Sequence, residues 1–408
     1  MDLIVRNARL AGGGESARVD IGVEHGRIAA IAPSLAAEGN TYEAGGRLVC
    51  AGLIETHIHL DKSRIIDRCA PEAGREAQAV ARVKAVKHTF TAEDVHDRAR
   101  RTLEAAIAHG TTRMRTHVEI DPGVGLRGFE GVRALIDEYT WAIDLEICVF
   151  PQEGLTNNPG TEELMVAALK QGARVIGAAP GYDTDHGAQI HRVFELAREF
   201  DVDIDMHLDF GNDTDMDIHL VCDLTEQYGV GGRVAVGHAT KLALVPPAEL
   251  ARIARRLADV GVAVTVLPAT DLFLMGRDRD HAVRRGVADA NFLIEHGVNC
   301  SISSNNILNP FTPFGDCSLL RIANLQANAT QISGRERIAE CFDMLTTRSA
   351  RLLRLEDYGI AVGNPGDLVV LDADSPEQAV AEIREPLAVF KRGRRTVTRH
   401  PVELHRPA

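Results

Sequence analysis

Between residues 50 and 355, short apolar runs alternate with longer amphipathic stretches, and the alternation recurs eight times. The runs lie near 53–57, 112–118, 145–150, 174–178, 203–207, 233–238, 262–267 and 298–303. A short apolar run followed by a helical pattern marks a buried strand and its return helix, so the spacing predicts eight successive βα units. Start and stop signals agree: Thr91 stands three residues before Asp94 as an N-cap, and Gly110 closes the same stretch. No GxGxxG turn follows the first strand, which favours a closed (β/α)₈ barrel over an open doubly wound sheet. The chain ends follow another rhythm. Alternating segments at 3–6, 20–23 and 27–31 are split by Gly12-Gly13-Gly14 and His25-Gly26, and the style returns at 367–371 and 388–390, with a turn at Arg392-Gly393. Period-two alternation between glycine turns predicts strands. The expected α/β architecture is a TIM barrel over 51–358 with a small β-sandwich built from both termini, 1–50 and 359–408.

Composition adds limits to this picture. The 408 residues suffice for one barrel and a smaller domain. A hydrophobic share of 45% and a charged share of 25% are those of a globular chain. The formal net charge of −13 disfavours nucleic acid or an anionic membrane as main partner and points to a small molecule. The start MDLIVRNARL lacks the pattern of a signal peptide and no apolar run approaches a membrane span, so a cytoplasmic location is expected. Seven scattered cysteines without CxxC predict reduced, buried thiols.

Histidines fall where a barrel concentrates chemistry, because active-site side chains in this fold come from the carboxyl ends of the strands. His57 and His59 end the first run, His207 the fifth and His238 the sixth. Residues two apart in an extended chain project to the same side, so His57 and His59 can meet one ion. A lone histidine is ordinarily a packing or surface residue; four at strand ends predict a divalent metal site. His117 ends the second run, where it either braces that site or packs in it. Phe210, Phe273, Phe311 and Phe314 suit a pocket for a flat ring. His186, His191 and His281 belong to no constellation and read as surface residues.

The segments GLIETHIHLDKS at 52–63, THVE at 116–119, FPQEG at 150–154, DVDIDMH at 201–207, GHAT at 237–240 and NPFTPFG at 309–315 resemble the amidohydrolase superfamily, in its cytosine deaminase and N-isopropylammelide amidohydrolase branch. The resemblance spans nearly the whole chain. It implies the same barrel with a split β-sandwich, a homo-oligomer, one zinc or iron ion on His57, His59, His207 and His238, and a substrate ring whose amide edge binds Gln152.

Three positions depart from that pattern. Asn305 stands where the family carries a metal-binding, proton-shuttling aspartate, and Phe210 where cytosine deaminase has a glutamate; Asp209 replaces the second histidine of the triazine enzymes. Breaking a C–N bond requires a proton carrier for the departing nitrogen. Asparagine is none, although its amide can coordinate a metal or orient water. Asp271, which the barrel brings to the same mouth, is the first candidate for carrier, followed by Asp209, Asp213, Glu119 and His219. Each has a plain alternative: Asp209, Asp213, Asp215 and Asp217 as a solvated loop and helix cap, Asp271 as a cap, Lys62 as a buried ion pair rather than a substrate contact, and Gln152 as a turn residue. The function expected is hydrolysis, by metal-activated water, of a C–N bond in a pyrimidine- or s-triazine-like substrate. The alternative is a homologue that has lost proton transfer and serves as a ligand-binding or regulatory protein.

Overall fold

The computed structural model of the protein describes residues 1–11, 18–36, 38–69 and 77–405; the expected Gly12-Gly13-Gly14 turn lies outside them. Eight parallel strands follow one another around the barrel: Leu53–Ile58, Thr111–Glu119, Asp144–Phe150, Val175–Ile176, Asp203–Leu208, Val234–His238, Val262–Val266 and Cys300–Ile302. Each pairs with its sequence neighbour, as short right-handed βα connections dictate. The ring closes between first and last strands, where the Asn305 N–H donates to the His57 carbonyl and the His59 N–H donates to the Asn305 carbonyl, both at 2.9 Å. Val262–Val266 is buried along its whole length, which explains why it reads as an apolar run, interrupted only by Thr265, rather than an alternating one. Helices such as Pro247–Val260 lie outside, turning Ile253, Ala254, Leu257 and Val260 inward at helical spacing. Thr91 caps Ala92–Ala108 by accepting from the Asp94 N–H at 3.2 Å.

The terminal strands form a second assembly, ordered Arg394–Thr398, Pro386–Lys391, Leu368–Leu371, Leu48–Ala51, Leu3–Leu10, Val19–Glu24 and Arg27–Ala32, with Thr41–Glu43 also on Leu3–Leu10. Leu3–Leu10 serves both halves, pairing Val19–Glu24 along its start and Leu48–Ala51 through Arg9 and Leu10. The halves share one apolar core, with Val5, Ile21 and Ile28 from one end of the chain packed with Leu368, Val370 and Phe390 from the other.

Leu48–Ala51 runs straight into the first barrel strand. At the junction, a side chain on Gly52 would sit 1.9 Å from Thr112 Oγ1, so only glycine allows the close approach. The buried Lys391 ammonium clamps the two assemblies, donating to Asp367 and Asp144 at 2.7 Å each and to the Thr112 carbonyl at 3.1 Å. All seven cysteines are buried and unpaired. Among the described residues, no helix is long and apolar enough to cross a membrane.

Candidate active site

Three imidazoles meet at the carboxyl end of the barrel. His207 Nε2 lies 3.2 Å from His57 Nε2 and 3.0 Å from His59 Nε2. His59 Nδ1 is 3.2 Å from the His117 carbonyl, to which only an N–H can donate, so His59 Nε2 carries the lone pair. Burial, joined by the neighbouring positive groups, pushes His57 down to about 3 and holds His59 and His207 well below the usual histidine range. Neutral rings with one lone pair each cannot satisfy both short contacts at His207 Nε2 by sharing protons. Ligand nitrogens about 2.0–2.1 Å from a zinc-like ion stand roughly 3 Å apart, so the spacing fits a shared cation.

Behind this trio lies a buried charged layer. Asp205 Oδ1 is 3.8 Å from His57 Nδ1 and 3.5 Å from His117 Nε2, while Asp205 Oδ2 accepts from Arg115 at 2.9 Å. Burial opposes the charge on Asp205, yet His117, His57 and Arg115 together hold its carboxyl well below the usual range. His117 therefore braces the site, its ring stacked on His57 with centroids 3.7 Å apart. Glu55 accepts from the His57 and Ser304 N–H groups at 3.1 Å each, and burial raises its carboxyl to about 7. A Cβ on Gly237 would stand 3.0 Å from His57 Cε1, so this glycine leaves the ring its room.

His238 stands apart from the trio, its ring centroid 6.2 Å from that of His57 and 5.6 Å from that of His207. Its Nδ1 lies 2.6 Å from Asp271 Oδ1, and its Nε2 faces Asn305 Nδ2 at 3.5 Å. Asn305 is fully buried in the left-handed region at φ 60°, and its Oδ1 has no partner among the described residues. Asp271 is likewise fully buried and lies behind His238 rather than on the pocket wall.

The pocket above these groups has a volume of about 120 Å³, a scale suited to a small ring. Its wall includes His59, Lys62, Gln152, His207, Asp209, Phe210, His238, Asn305 and Phe311. Lys62 donates to Gln152 Oε1 at 2.9 Å and to Glu119 Oε2 at 3.2 Å, so it forms the buried ion pair and also faces the cavity. Asp209 lines the pocket and caps Ile218–Tyr228, accepting from the Asp217 and Ile218 N–H groups at 2.8 and 3.0 Å; burial raises its carboxyl to about 6.

Other expectations need correction. Burial alone would raise Glu119, but Lys62 and Lys87 outweigh it and hold the carboxyl at about 2; a permanently ionised, doubly paired group is a poor proton carrier. Asp213 is largely exposed and paired with Lys241 at 2.7 Å, and His219 is exposed on its helix away from the cavity. Phe273 and Phe314 pair edge to face outside the pocket, with Phe314 61% exposed. His186, expected at the surface, is exposed but also lines the pocket mouth, 2.8 Å from Asp217. Its position at the start of the helix that follows the fourth strand, His186–Phe200, was the available signal. For Glu55 and Asp205 the signal was two-residue spacing ahead of His57 and His207.

The model of the amidohydrolase family matches residues 141–397. N-isopropylammelide isopropyl amidohydrolase of Pseudomonas sp. (strain ADP) is 28% identical over 407 residues, covering 96% of each chain. Pterin deaminase of Rhizobium rhizogenes is 26% identical, covering 92% of this chain and 87% of that one. The solved structure of 5-methylcytosine deaminase from Klebsiella pneumoniae, liganded with 5-fluorocytosine, superposes with a TM-score of 0.94 at 28% identity, over 99% of both chains. With the family model matching more than half of its length, the chain belongs to the amidohydrolase family and is a hydrolase of carbon–nitrogen bonds.

Proposed function

We propose that the protein is a metal-dependent amidohydrolase or deaminase that cleaves a C–N bond of a small, flat, nitrogen-rich ring of pyrimidine or s-triazine type. The observation that carries this reading is the meeting of three imidazole nitrogens 3.0 and 3.2 Å apart, with His59 and His207 on the wall of a pocket of ring size and His57 buried behind them. His57, His59 and His207 would hold one zinc or iron ion, and His238 and Asn305 line the same pocket. A divalent ion bound there supplies Lewis acidity and lowers the pKa of water toward neutrality. The His238 ring, fixed through Nδ1 by Asp271, takes up or releases a proton at Nε2, and Asp209 is the second carboxyl within reach of the pocket. Phe210 and Phe311 sandwich the ring, while Gln152 and Lys62 orient it.

The enzyme works in the cytoplasm as a homo-oligomer, with residues 1–50 and 359–408 as one folding unit and 51–358 as the other. The test is a screen of aminopyrimidines, amino-s-triazines and pterins against metal-loaded protein, reading release of ammonia or alkylamine. At least one ring is expected to turn over, with turnover lost on chelation; no release from any ring by metal-replete protein contradicts the reading.

A further inference from the structure

The excursion between the first barrel strand and the helix Ala92–Ala108 carries the helix Ala77–Val86, which ends in the turn Lys87–Thr89. From that turn the Lys87 side chain, only 4% exposed, sends its ammonium into the barrel mouth, where it donates to Glu119 Oε1 at 2.6 Å, to Asp121 Oδ2 and to Glu153 Oε1. An ammonium has three N–H groups, so all of them are spent on carboxylates. The acceptors come from different places: Glu119 ends the second strand, Asp121 follows it, and Glu153 follows the third. Their oxygens lie within 4.8 Å of one another, close enough to share one hard cation. The Gly123 and Val124 N–H groups aim Asp121 by donating to its Oδ1 at 2.6 and 3.1 Å, and a Cβ on Gly123 would stand 3.1 Å from Lys87 Cε. Of these carboxylates Lys62 reaches Glu119 alone, at 3.2 Å, and the exposed Lys84 reaches Glu153 alone.

We propose that Lys87 is a positioning residue, an internal cation seated where a divalent ion would otherwise fit, whose charge steadies the pocket wall formed by Lys62 and Gln152. It acts through its partners. Glu119 gives one oxygen to Lys87 and the other to Lys62, and Glu153 adjoins Gln152 in the chain, so both pocket residues rest on groups that Lys87 holds. Without the ammonium, three carboxylates would face one another in a largely buried space, and their repulsion would drive them apart or protonate one of them. Glu119 would then be free to draw Lys62 away from Gln152. The effect on substrate rests on the heterocycle reading above, whereas the seating of a cation among the carboxylates does not.

Calcium supplies the test, because it takes oxygen ligands and leaves imidazole sites to zinc or iron. In calorimetry on the metal-loaded full chain at about millimolar calcium, Lys87→Ala is expected to bind one calcium ion more than the wild type, and the double variant Lys87→Ala with Asp121→Asn is expected to lose it. On any ring that the heterocycle screen shows to be hydrolysed, Lys87→Ala is expected to raise KM about tenfold with kcat within about twofold of wild type, and calcium to restore KM. Lys87→Met, which keeps the stem but leaves neither charge nor room for an ion, is expected to raise KM equally and to ignore calcium. A Lys87→Ala chain that takes up no additional calcium, or that folds neither with nor without it, overturns the inference. So does an unchanged KM in both variants, which would make Lys87 a structural pin only. A Lys87→Ala chain that folds only with calcium supports it, since the ion has then replaced the ammonium. Should no ring be hydrolysed, the heterocycle reading fails, and the calcium result still decides whether Lys87 fills a cation site.

Discussion

The two walls of the pocket are built on opposite principles. On one side Lys62, Glu119, Lys87, Asp121 and Glu153 form a continuous ion-paired chain in which each charge has a protein partner. On the other, Asn305 Oδ1 lies buried with no hydrogen-bond partner among the described residues, as does Asp271 Oδ2 behind His238. Buried polar atoms are nearly always satisfied, so orphaned ones mark where something other than protein belongs. The paired wall is scaffold that orients a ligand, and the unpaired wall is where ion, water and reacting bond meet.

The largest effect is expected where both walls lose their foundation. A chain ending at residue 363 removes Leu368–Leu371, the antiparallel partner of Leu48–Ala51, and exposes an apolar edge just before the strand that carries His57. Expression of residues 1–363 is expected to give insoluble or metal-poor protein, read by solubility and metal analysis; a soluble, metal-replete truncation would break the link between the terminal strands and the site. Next comes the unpaired wall: Asp271→Asn is expected to lower turnover about a hundredfold while metal content stays near that of wild type. Equal activity would remove Asp271 from the chemistry.

The paired wall should respond in stability instead. Glu119→Gln leaves Lys62 and Lys87 short of a buried partner and is expected to lower unfolding free energy by about 3 kcal/mol in denaturant titration, with bound metal unaltered. Loss of metal without loss of stability would erase the contrast between the walls. The smallest effect is on pH dependence. Because the Glu119 carboxyl is held at about 2 in the fold against an ordinary 4.5, its stabilisation is present above the ordinary value and lost as pH falls toward the folded one. Wild-type stability should therefore decline across that acid window more steeply than that of Glu119→Gln.

The contrast between the walls also separates what the sequence made legible from what it did not. Strand ends carrying His57, His59, His207 and His238 were readable because period-two spacing and apolar runs locate both the strand and the side its residues face. Even the fourth strand, regular only at Val175–Ile176, was visible as an apolar run. The placement of Asp271 against His238 was not, since it depends on how the short helix Pro268–Leu274 after the seventh strand packs on its neighbour. The direction of the Gln152 amide depends on Lys62, ninety positions away in sequence, and becomes visible only once the barrel brings the two together. His186 was missed because no feature of its own sequence neighbourhood separates an exposed histidine at a helix start from one at a pocket mouth; only its place after the fourth strand pointed there.

Metal content tests the central claim most directly. Purified wild-type protein, analysed by elemental mass spectrometry after exhaustive dialysis, should carry close to one equivalent of zinc or iron. His57→Ala and His207→Ala, each folded by circular dichroism, should carry almost none, because each removes one of the three nitrogens that converge. Full metal retention in both variants would contradict the site described here.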